Sequence, residues 1–275
     1  MRGERSTTET TPQGVAIRPG SKVLGIDLAA DPVRTGVAIL TVGSDSVGVT
    51  VEAGRGTDEA LVELADDVDV VGVDAPLGWP EPFIEALFLH QRGEPWPAAD
   101  DPVHQRRLLS KRRTDRFVKE VTGLDSLPVA ADRIAAVAMR CARLQTLWAE
   151  GWGGLEDRSG TGRLAETYPA AALKLWGLSY RLYKGREKAA ERDALVGSLV
   201  VTAPWLDLAR AESACRMSDD ALDAVVSGVV ALGAKLGVTQ PPTAPADVRL
   251  AAREGWIHLP TGTLSQLGEA LRSLR

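Results

Sequence analysis

Two aspartates end short apolar segments that are typical of buried strands. Residues 22–27, KVLGID, end on Asp27, and residues 70–74, VVGVD, end on Asp74. Open α/β sheets bind ligands at the carboxyl ends of their strands, so we expect both carboxylates at one edge of a sheet. Neighbouring carboxylates repel each other unless a cation lies between them, and Mg²⁺ or Mn²⁺ prefers such oxygen ligands. Each aspartate could instead cap the turn that follows it.

Further acidic residues are candidates for the same site. Glu166 lies in an apolar segment, where a buried carboxylate needs a partner; it could also occupy an exposed edge strand or pair with a nearby arginine. Residues 218–237 predict a helix that begins at a serine N-cap, and acids in its first turn suit the helix dipole. That role explains Asp219 and Asp220 without any function, but it explains Asp223 less well.

Helical spacing gives the segment 218–237 two distinct faces. Asp220, Asp223 and Ser227 fall on one narrow stripe. The opposite face is apolar and is expected to join the core through Leu222, Val225, Val226, Val229 and Leu236. We therefore expect two carboxylates of this helix to face the sheet.

A basic segment is the second chemical signal. Residues 104–120 contain seven basic residues, which are Arg106, Arg107, Lys111, Arg112, Arg113, Arg116 and Lys119. A stripe on the following helix adds three more, Arg133, Arg140 and Arg143. A local positive field of this kind suits a phosphate backbone, although it is equally typical of a solvated helix face.

Other catalytic chemistry has little support in the sequence. The three histidines, His90, His104 and His258, have no zinc-ligand spacing with a cysteine. No nucleophile elbow is present. The glycine-rich residues 159–163 precede a strand rather than a helix, so they read as a turn and not as a dinucleotide-binding loop.

The order of the segments predicts an α/β fold. Valine-rich residues 22–27, 35–42 and 46–52 are separated by glycine, serine or aspartate, which suggests a meander of antiparallel strands. Residues 57–67 have helical spacing, and the strand 70–74 follows them. The first and fourth strands can then lie side by side and parallel.

Beyond the fourth strand the pattern becomes mainly helical. We expect an insertion over residues 77–160, with helices over 80–91 and 130–150. Further strands are expected over 162–169 and, at a sheet edge, over 255–260.

The composition is ordinary for a globular protein, with 275 residues, 44% hydrophobic and 25% charged. A net charge of −5 does not favour a nucleic-acid partner, although the local distribution matters more than the sum. Two cysteines are too few for a disulfide framework and suit a reducing compartment. Neither a signal peptide nor a membrane-spanning stretch is apparent. We expect a cytoplasmic protein without membrane contact, with a flexible tail over 1–20 and one domain over 21–275.

Five motifs in order resemble a known family. They are GIDLA…TG, VDAPLGWP, RRTDR, ETYPAAALKLWG and DALDAVVSG, which span the chain from about Lys22 to Gly237. Together they resemble domain-of-unknown-function family 429, described as predicted nucleases with a ribonuclease H-like fold. The resemblance implies a ribonuclease H-like mixed sheet flanked by helices, with a mainly helical insertion after the fourth strand.

The resemblance also implies a set of site residues and a mechanism. The catalytic acids would be Asp27, Asp74, Glu166, Asp220 and Asp223, and all of these except Glu166 are the implied metal ligands. The implied chemistry is two-metal hydrolysis of phosphodiester bonds in DNA or RNA, with Mg²⁺ or Mn²⁺. One departure from the family pattern, an aspartate at position 219 where histidine is frequent, leaves open which acid of this helix points at the metal.

The R-x-T-D motif of the family falls on Arg113, Thr114 and Asp115, and the resemblance assigns it no role. Because the basic segment surrounds it, we expect substrate to be bound by Arg112, Arg113, Thr114, Asp115 and Arg116.

Two other functions stay open at this point. The GID…TG hairpin also resembles the phosphate-binding turn of actin-like ATPases and sugar kinases, which would make the protein an ATP-binding phosphotransferase. Against this, a second glycine-rich adenosine motif is missing, and a chain of this length leaves little room for a two-lobed cleft. The third possibility is a non-catalytic nucleic-acid-binding module that has kept the acids.

Overall fold

The computed structural model describes residues 15–98, 100–130 and 132–274. The sheet contains six strands: β1 Lys22–Asp27, β2 Gly36–Val42, β3 Val47–Val51, β4 Val70–Asp74, β5 Leu164–Glu166 and β6 Leu206–Asp207. Their order across the sheet is β5-β4-β1-β2-β3-β6. Strands β1, β2 and β3 form an antiparallel meander, whereas β4 and β5 lie parallel to β1, and β6 lies parallel to β3.

Eleven α-helices surround the sheet in the described part of the chain. They are α1 Asp58–Asp66, α2 Glu81–Gln91, α3 Pro102–Ser110, α4 Arg113–Thr122, α5 Ile134–Trp152, α6 Pro169–Leu175, α7 Ala189–Thr202, α8 Glu212–Met217, α9 Asp219–Lys235, α10 Pro245–Glu254 and α11 Leu264–Arg272. Short 3-10 turns cover Pro32–Arg34 and Arg186–Lys188.

Strand alternation divides the core into two layers. Side chains at odd-numbered positions of β1, such as Val23, face α9 and the helices around it, while Leu24 and Ile26 face α1 and α5. Both faces of the central strands are therefore covered, which explains why these strands are nearly continuous apolar runs. Asp27 and Asp74 share the face of Val23, so they point towards α9.

Helix α9 lies unusually close to the sheet because glycines line its path. A Cβ atom on Gly25 would lie 2.0 Å from the carbonyl oxygen of Ala224, and one on Gly72 would lie 2.7 Å from that of Ser227. Gly25 and Gly72 are register partners on β1 and β4, so together they form a floor without side chains. This close approach brings the first turns of α9 down to the level of the strand ends.

The expected α/β class, with a mixed sheet flanked by helices, is confirmed. The first four strands and the helices over 57–67, 80–91, 130–150 and 218–237 are present, with ends that shift by up to a few residues. The short strand β6, which adds an edge beside β3, was not predicted.

The predicted strands 162–169 and 255–260 are shorter in the structure. The first is reduced to β5 because Pro169 begins a helix. The second is reduced to isolated bridges, in which Ile257 pairs with Glu166 and Pro260 pairs with Thr239.

Parts of the predicted insertion and of the predicted tail lie against the main core. Helix α5 packs its buried face on the β1–β4 side of the sheet, so it covers the main core as well as belonging to the segment 77–160. Residues 1–14 of the predicted tail lie outside the described residues, but Ile17 is buried against the core. Among the described residues, no helix combines the length and the apolar character needed to cross a bilayer.

Candidate metal centre

Three carboxylates meet at the carboxyl ends of the central parallel strands. Asp27 and Asp74 are direct register partners at the ends of β1 and β4. Asp223, in the second turn of α9, completes the group, and one oxygen from each carboxylate lies within 4.8 Å of the others. Asp223 is fully buried, while Asp27 and Asp74 are partly exposed. We call Asp27, Asp74 and Asp223 the acidic triad.

Two consecutive loop residues contact the two oxygens of Asp223. The hydroxyl of Tyr183 donates a hydrogen bond to Oδ1 at 2.7 Å, and Lys184 Nζ lies 2.5 Å from Oδ2. Both oxygens of Asp223 therefore have a partner. Because each carboxylate oxygen has two lone pairs, Oδ2 can still bind a further positively charged group.

The environment of the triad favours neutral carboxyl groups. Burial is the main cause that raises the pKa of Asp27 well above its usual value, with Asp223 and Asp74 adding to it. Burial also raises the pKa of Asp74 to about 7, against the opposing effect of Lys184. The pKa of Asp223 is raised by burial too, although Lys184 and Tyr183 lower it. Three neighbouring acids with one cation are short of positive charge.

Lys184 responds in the opposite sense. Burial alone would lower the pKa of its ammonium, but the three carboxylates of the triad more than offset burial and raise it. Lys184 is thus charged at neutral pH.

The other acids of α9 lie outside the triad. The side chain of Asp220 is partly exposed, and its carboxylate lies 3.4 Å from the guanidinium of Arg34. Asp219 lies 3.8 Å from the guanidinium of Arg192. Of the acids proposed from the sequence for this helix, the structure therefore brings Asp223 to the strand ends and leaves Asp220 and Asp219 at the rim.

Glu166 points to the opposite face of the sheet from the triad. It pairs with Val73 rather than with Asp74 across β4, so alternation turns its side chain away from α9. The guanidinium of Arg112 donates to both of its oxygens, at 2.7 Å and 2.8 Å. The arginine partner that the sequence left open is the one present, and Glu166 is not a ligand of the triad in this geometry.

Arg112 and Asp115 complete a buried ion cluster with Glu166. Asp115 accepts hydrogen bonds from Arg112 Nη2 at 3.0 Å and from its backbone amide at 2.9 Å. Burial raises the pKa of Glu166, and Arg112 opposes that effect. Both carboxylates thus receive paired hydrogen bonds from one guanidinium. We call Arg112, Asp115 and Glu166 the buried ion cluster.

This cluster changes the role expected for the basic segment. Arg112 is 2% exposed, and its guanidinium donates to Glu166 and Asp115, so its hydrogen-bonding capacity is used within the molecule. The hydroxyl of Thr114 is also buried, where it accepts a hydrogen bond from the amide of Ile257 at 2.7 Å. The centre of the R-x-T-D motif thus fastens the start of α4 to β5 and to the chain after α10.

The remaining basic side chains are largely paired within the molecule. Arg113 contacts Asp247 at 2.9 Å, and Lys111 and Lys119 both contact Asp125 at 3.0 Å. Arg116 donates to a backbone carbonyl. On the next helix Arg140 contacts Asp58 at 2.8 Å and Arg143 contacts it at 3.5 Å. Arg106, Arg107 and Arg133 are exposed.

A cavity of about 180 Å³ adjoins the triad on the β5 side. Asp74 lines it together with the apolar side chains of Pro76, Leu127 and Ile134, and the buried ion cluster forms a further part of its wall. The hydroxyl of Thr167 lines it as well and is buried without a hydrogen-bond partner. Part of a ligand could therefore lie in an apolar recess beside the acids.

Sequence reasoning missed Tyr183 and Lys184. Both lie in a loop between α6 and α7, and a lone tyrosine–lysine pair in a polar loop carries no spacing that marks it as part of a site. Their position depends on the path of the loop over α9, which no local pattern reveals.

The fold and the site define an α/β protein whose mixed sheet carries an acidic triad at the carboxyl ends of parallel strands. The chain belongs to the family described as "Protein of unknown function (DUF429)", whose model matches residues 25–247. No curated protein and no solved structure was found to match the chain.

Proposed function

We propose that the protein is a metal-dependent hydrolase of phosphodiester bonds, with the acidic triad as its Mg²⁺ or Mn²⁺ site. The observation that carries the proposal is the approach of three carboxylates within 4.8 Å of one another, with one ammonium, that of Lys184, at an oxygen of Asp223. Hard divalent cations select carboxylate oxygens of this kind. The donor set of the site therefore fits such a cation.

The strand order supports a ribonuclease H-like fold for this hydrolase. The antiparallel meander β1–β3 followed by parallel β4 and β5 matches the arrangement that the five sequence motifs imply. In that arrangement the acids at the ends of β1 and β4 and on the last long helix come together, as Asp27, Asp74 and Asp223 do here.

The residues of the chain have separable roles in this proposal. Asp27 and Asp74 would hold the cation from the sheet, and Asp223 would hold it from α9. A bound divalent cation polarises a phosphoryl oxygen and lowers the pKa of bound water. Tyr183 holds the carboxylate of Asp223 in place through a hydrogen bond to Oδ1.

A nucleic acid strand is the partner that we propose. Its phosphodiester is the bond to be cleaved, and the recess beside Asp74 offers apolar walls to a sugar or base next to it. Support from the basic segment is smaller than the sequence suggested, because most of its charges are paired internally; Arg106 and Arg107 on α3 remain exposed.

The test is cleavage of labelled single-stranded DNA, duplex DNA and single-stranded RNA in Mn²⁺, with ATP turnover measured in parallel. Loss of a residue that only supports a metal ligand costs up to roughly 100-fold in activity. Because Asp74 would itself be a ligand, we expect Asp74→Asn to reduce cleavage by more than that. Asp207→Asn is the matched control, since Asp207 also ends a strand but lies outside the triad. ATP turnover without cleavage would favour a phosphotransferase instead, and Mn²⁺ binding with neither activity would favour a binding module.

A further inference from the structure

The loop residue Lys184 contacts an atom that the proposed cation needs. Its Nζ lies 2.5 Å from Asp223 Oδ2, while the other oxygen of this carboxylate is held by Tyr183. We propose that Lys184 is the internal counter-ion of the acidic triad and sets its metal affinity by competing with the divalent cation for Asp223 Oδ2. This inference rests on the proposed metal site.

The backbone around Lys184 is fixed, so its position is not that of a mobile surface lysine. Tyr183 is 1% exposed and packs in the core beside α9. The guanidinium of Arg192 donates to the carbonyls of Tyr183 and Gly185, at 2.9 Å and 3.0 Å. The residues on both sides of Lys184 are therefore tied to α7, and the side chain is directed at the triad.

Leu182, two residues before Lys184, has an unfavourable backbone conformation. Leu182 has a φ of 62°, in the left-handed region, and its side chain is 70% exposed. An exposed leucine gains no burial that would compensate for this backbone conformation, which is unfavourable for a residue with a Cβ. The turn at Leu182 delivers two consecutive side chains, Tyr183 and Lys184, to one carboxylate.

Charge and exposure make the ammonium exchangeable. The triad carries three carboxylates, and Lys184 supplies one positive charge, which leaves room for a divalent cation in the charge balance. The two cations repel each other when they share Oδ2. Because the Lys184 side chain is 54% exposed, it can turn to solvent without burying an unpaired charge.

The test is titration calorimetry with Mn²⁺ alone at pH 8, where ionisation of the triad is favoured. We expect Lys184→Met to tighten Mn²⁺ binding about tenfold or more, which corresponds to about 1.4 kcal/mol or more. Lys188→Met is the matched control, since Lys188 lies on the same segment but pairs with Glu191 at 3.3 Å; its affinity should equal that of the parent. A thermal melt checks folding, and Lys184→Gln provides a second neutral variant.

The outcomes separate this inference from the function on which it rests. Tighter binding by both neutral variants, including binding that the parent lacks, supports the counter-ion role. If the parent binds Mn²⁺ and the neutral variants bind it equally or more weakly, the counter-ion role is overturned and the metal site stays intact. Absence of Mn²⁺ binding in the parent and in all variants overturns the metal site and the inference together.

Discussion

Buried acids occur in two places at the same end of the sheet, on opposite faces, and their surroundings differ. In the buried ion cluster, Glu166 and Asp115 share one guanidinium that donates paired hydrogen bonds to both. In the acidic triad, three carboxylates share one half-exposed ammonium. Both groups have more carboxylates than cations, but the first has paired donors for each carboxylate, whereas the second has three carboxylates for one cation.

The difference shows that burial of an acid does not by itself indicate function. A buried carboxylate with a complete set of donors stabilises a particular packing arrangement and is costly to disturb. A buried carboxylate that lacks donors lowers the stability of the protein unless a cation binds to it. Groups of this kind are typical of functional sites. The same change, acid to amide, should therefore have opposite effects in the two groups.

The largest effect is expected in the buried ion cluster. Glu166→Gln removes one charge and leaves the Arg112 guanidinium incompletely paired, so we expect the free energy of unfolding to fall by roughly 3–5 kcal/mol. Urea unfolding at pH 8 in the presence of a chelator measures it. Arg113→Ala, which breaks a partly exposed pair, should cost about 1 kcal/mol or less. A loss for Glu166→Gln no larger than for Arg113→Ala would contradict a structural role for the cluster.

The corresponding change in the triad should have the opposite sign. Asp74→Asn removes a charge that burial disfavours, so we expect the free energy of unfolding without divalent cations to rise by roughly 1–3 kcal/mol at pH 8. The same variant should lose Mn²⁺ binding. Asp207→Asn should change neither quantity. Destabilisation by Asp74→Asn would show that the triad is satisfied internally, as the buried ion cluster is.

Ionisation of the triad should make the free energy of unfolding of the protein depend on pH in a defined direction. The pKa of Asp74 is raised from 3.8 to about 7, so the native state keeps this proton while the unfolded chain loses it. Over the interval from about pH 4 to 7, this group therefore lowers the free energy of unfolding as the pH rises. Mn²⁺ binds the ionised form, so its stabilising effect should grow over the same interval.

Melting temperatures with and without Mn²⁺ would measure this dependence. A concentration of about 1 mM is suitable, since it would be about tenfold above the dissociation constant of a site with modest affinity. We expect a larger Mn²⁺-induced rise at pH 8 than at pH 5 in the parent, and little rise at either pH in Asp74→Asn. An equal Mn²⁺-induced rise in melting temperature at both pH values would contradict the prediction, because metal binding would then not depend on ionisation of the triad.

The smallest effect is expected at the rim of the site. Asp220 is paired with Arg34 at an exposed position, so Asp220→Asn should weaken Mn²⁺ binding by about threefold or less, as screened charges do. Asp223→Asn should abolish binding, because it removes a ligand. Calorimetry on both variants compares them directly. A greater loss for Asp220→Asn would place the rim acid, rather than Asp223, in the metal site.

Much of the fold followed from local pattern. Alternation and apolar runs located β1 to β4 and the helix α9, because strands buried on both faces and a helix with an apolar face leave clear periodicities. The strand-end positions of Asp27 and Asp74 came from the same pattern. Strand β6 was not predicted because two residues give no periodicity. It pairs with the edge of β3.

Side-chain partners were harder to predict. Glu166 was correctly expected to need a partner, but the choice between a metal and an arginine depended on which face of β5 it occupies. That face is fixed by the register between β5 and β4. The basic segment was recognised as a concentration of charge, while its internal pairing with Asp125, Asp247 and the buried ion cluster required the packing of α4 against distant elements.

The sequence by itself determined the α/β pattern, the two strand-end aspartates and the amphipathic helix that carries a third. Each of these depends on neighbours within a few residues, where backbone geometry sets the spacing. Only the tertiary structure decided which acids meet, because the glycine floor sets how closely α9 approaches and strand register sets which face each acid occupies. It also placed Lys184 at the triad, since a contact between residues 184 and 223 is made by a loop path that no local propensity specifies.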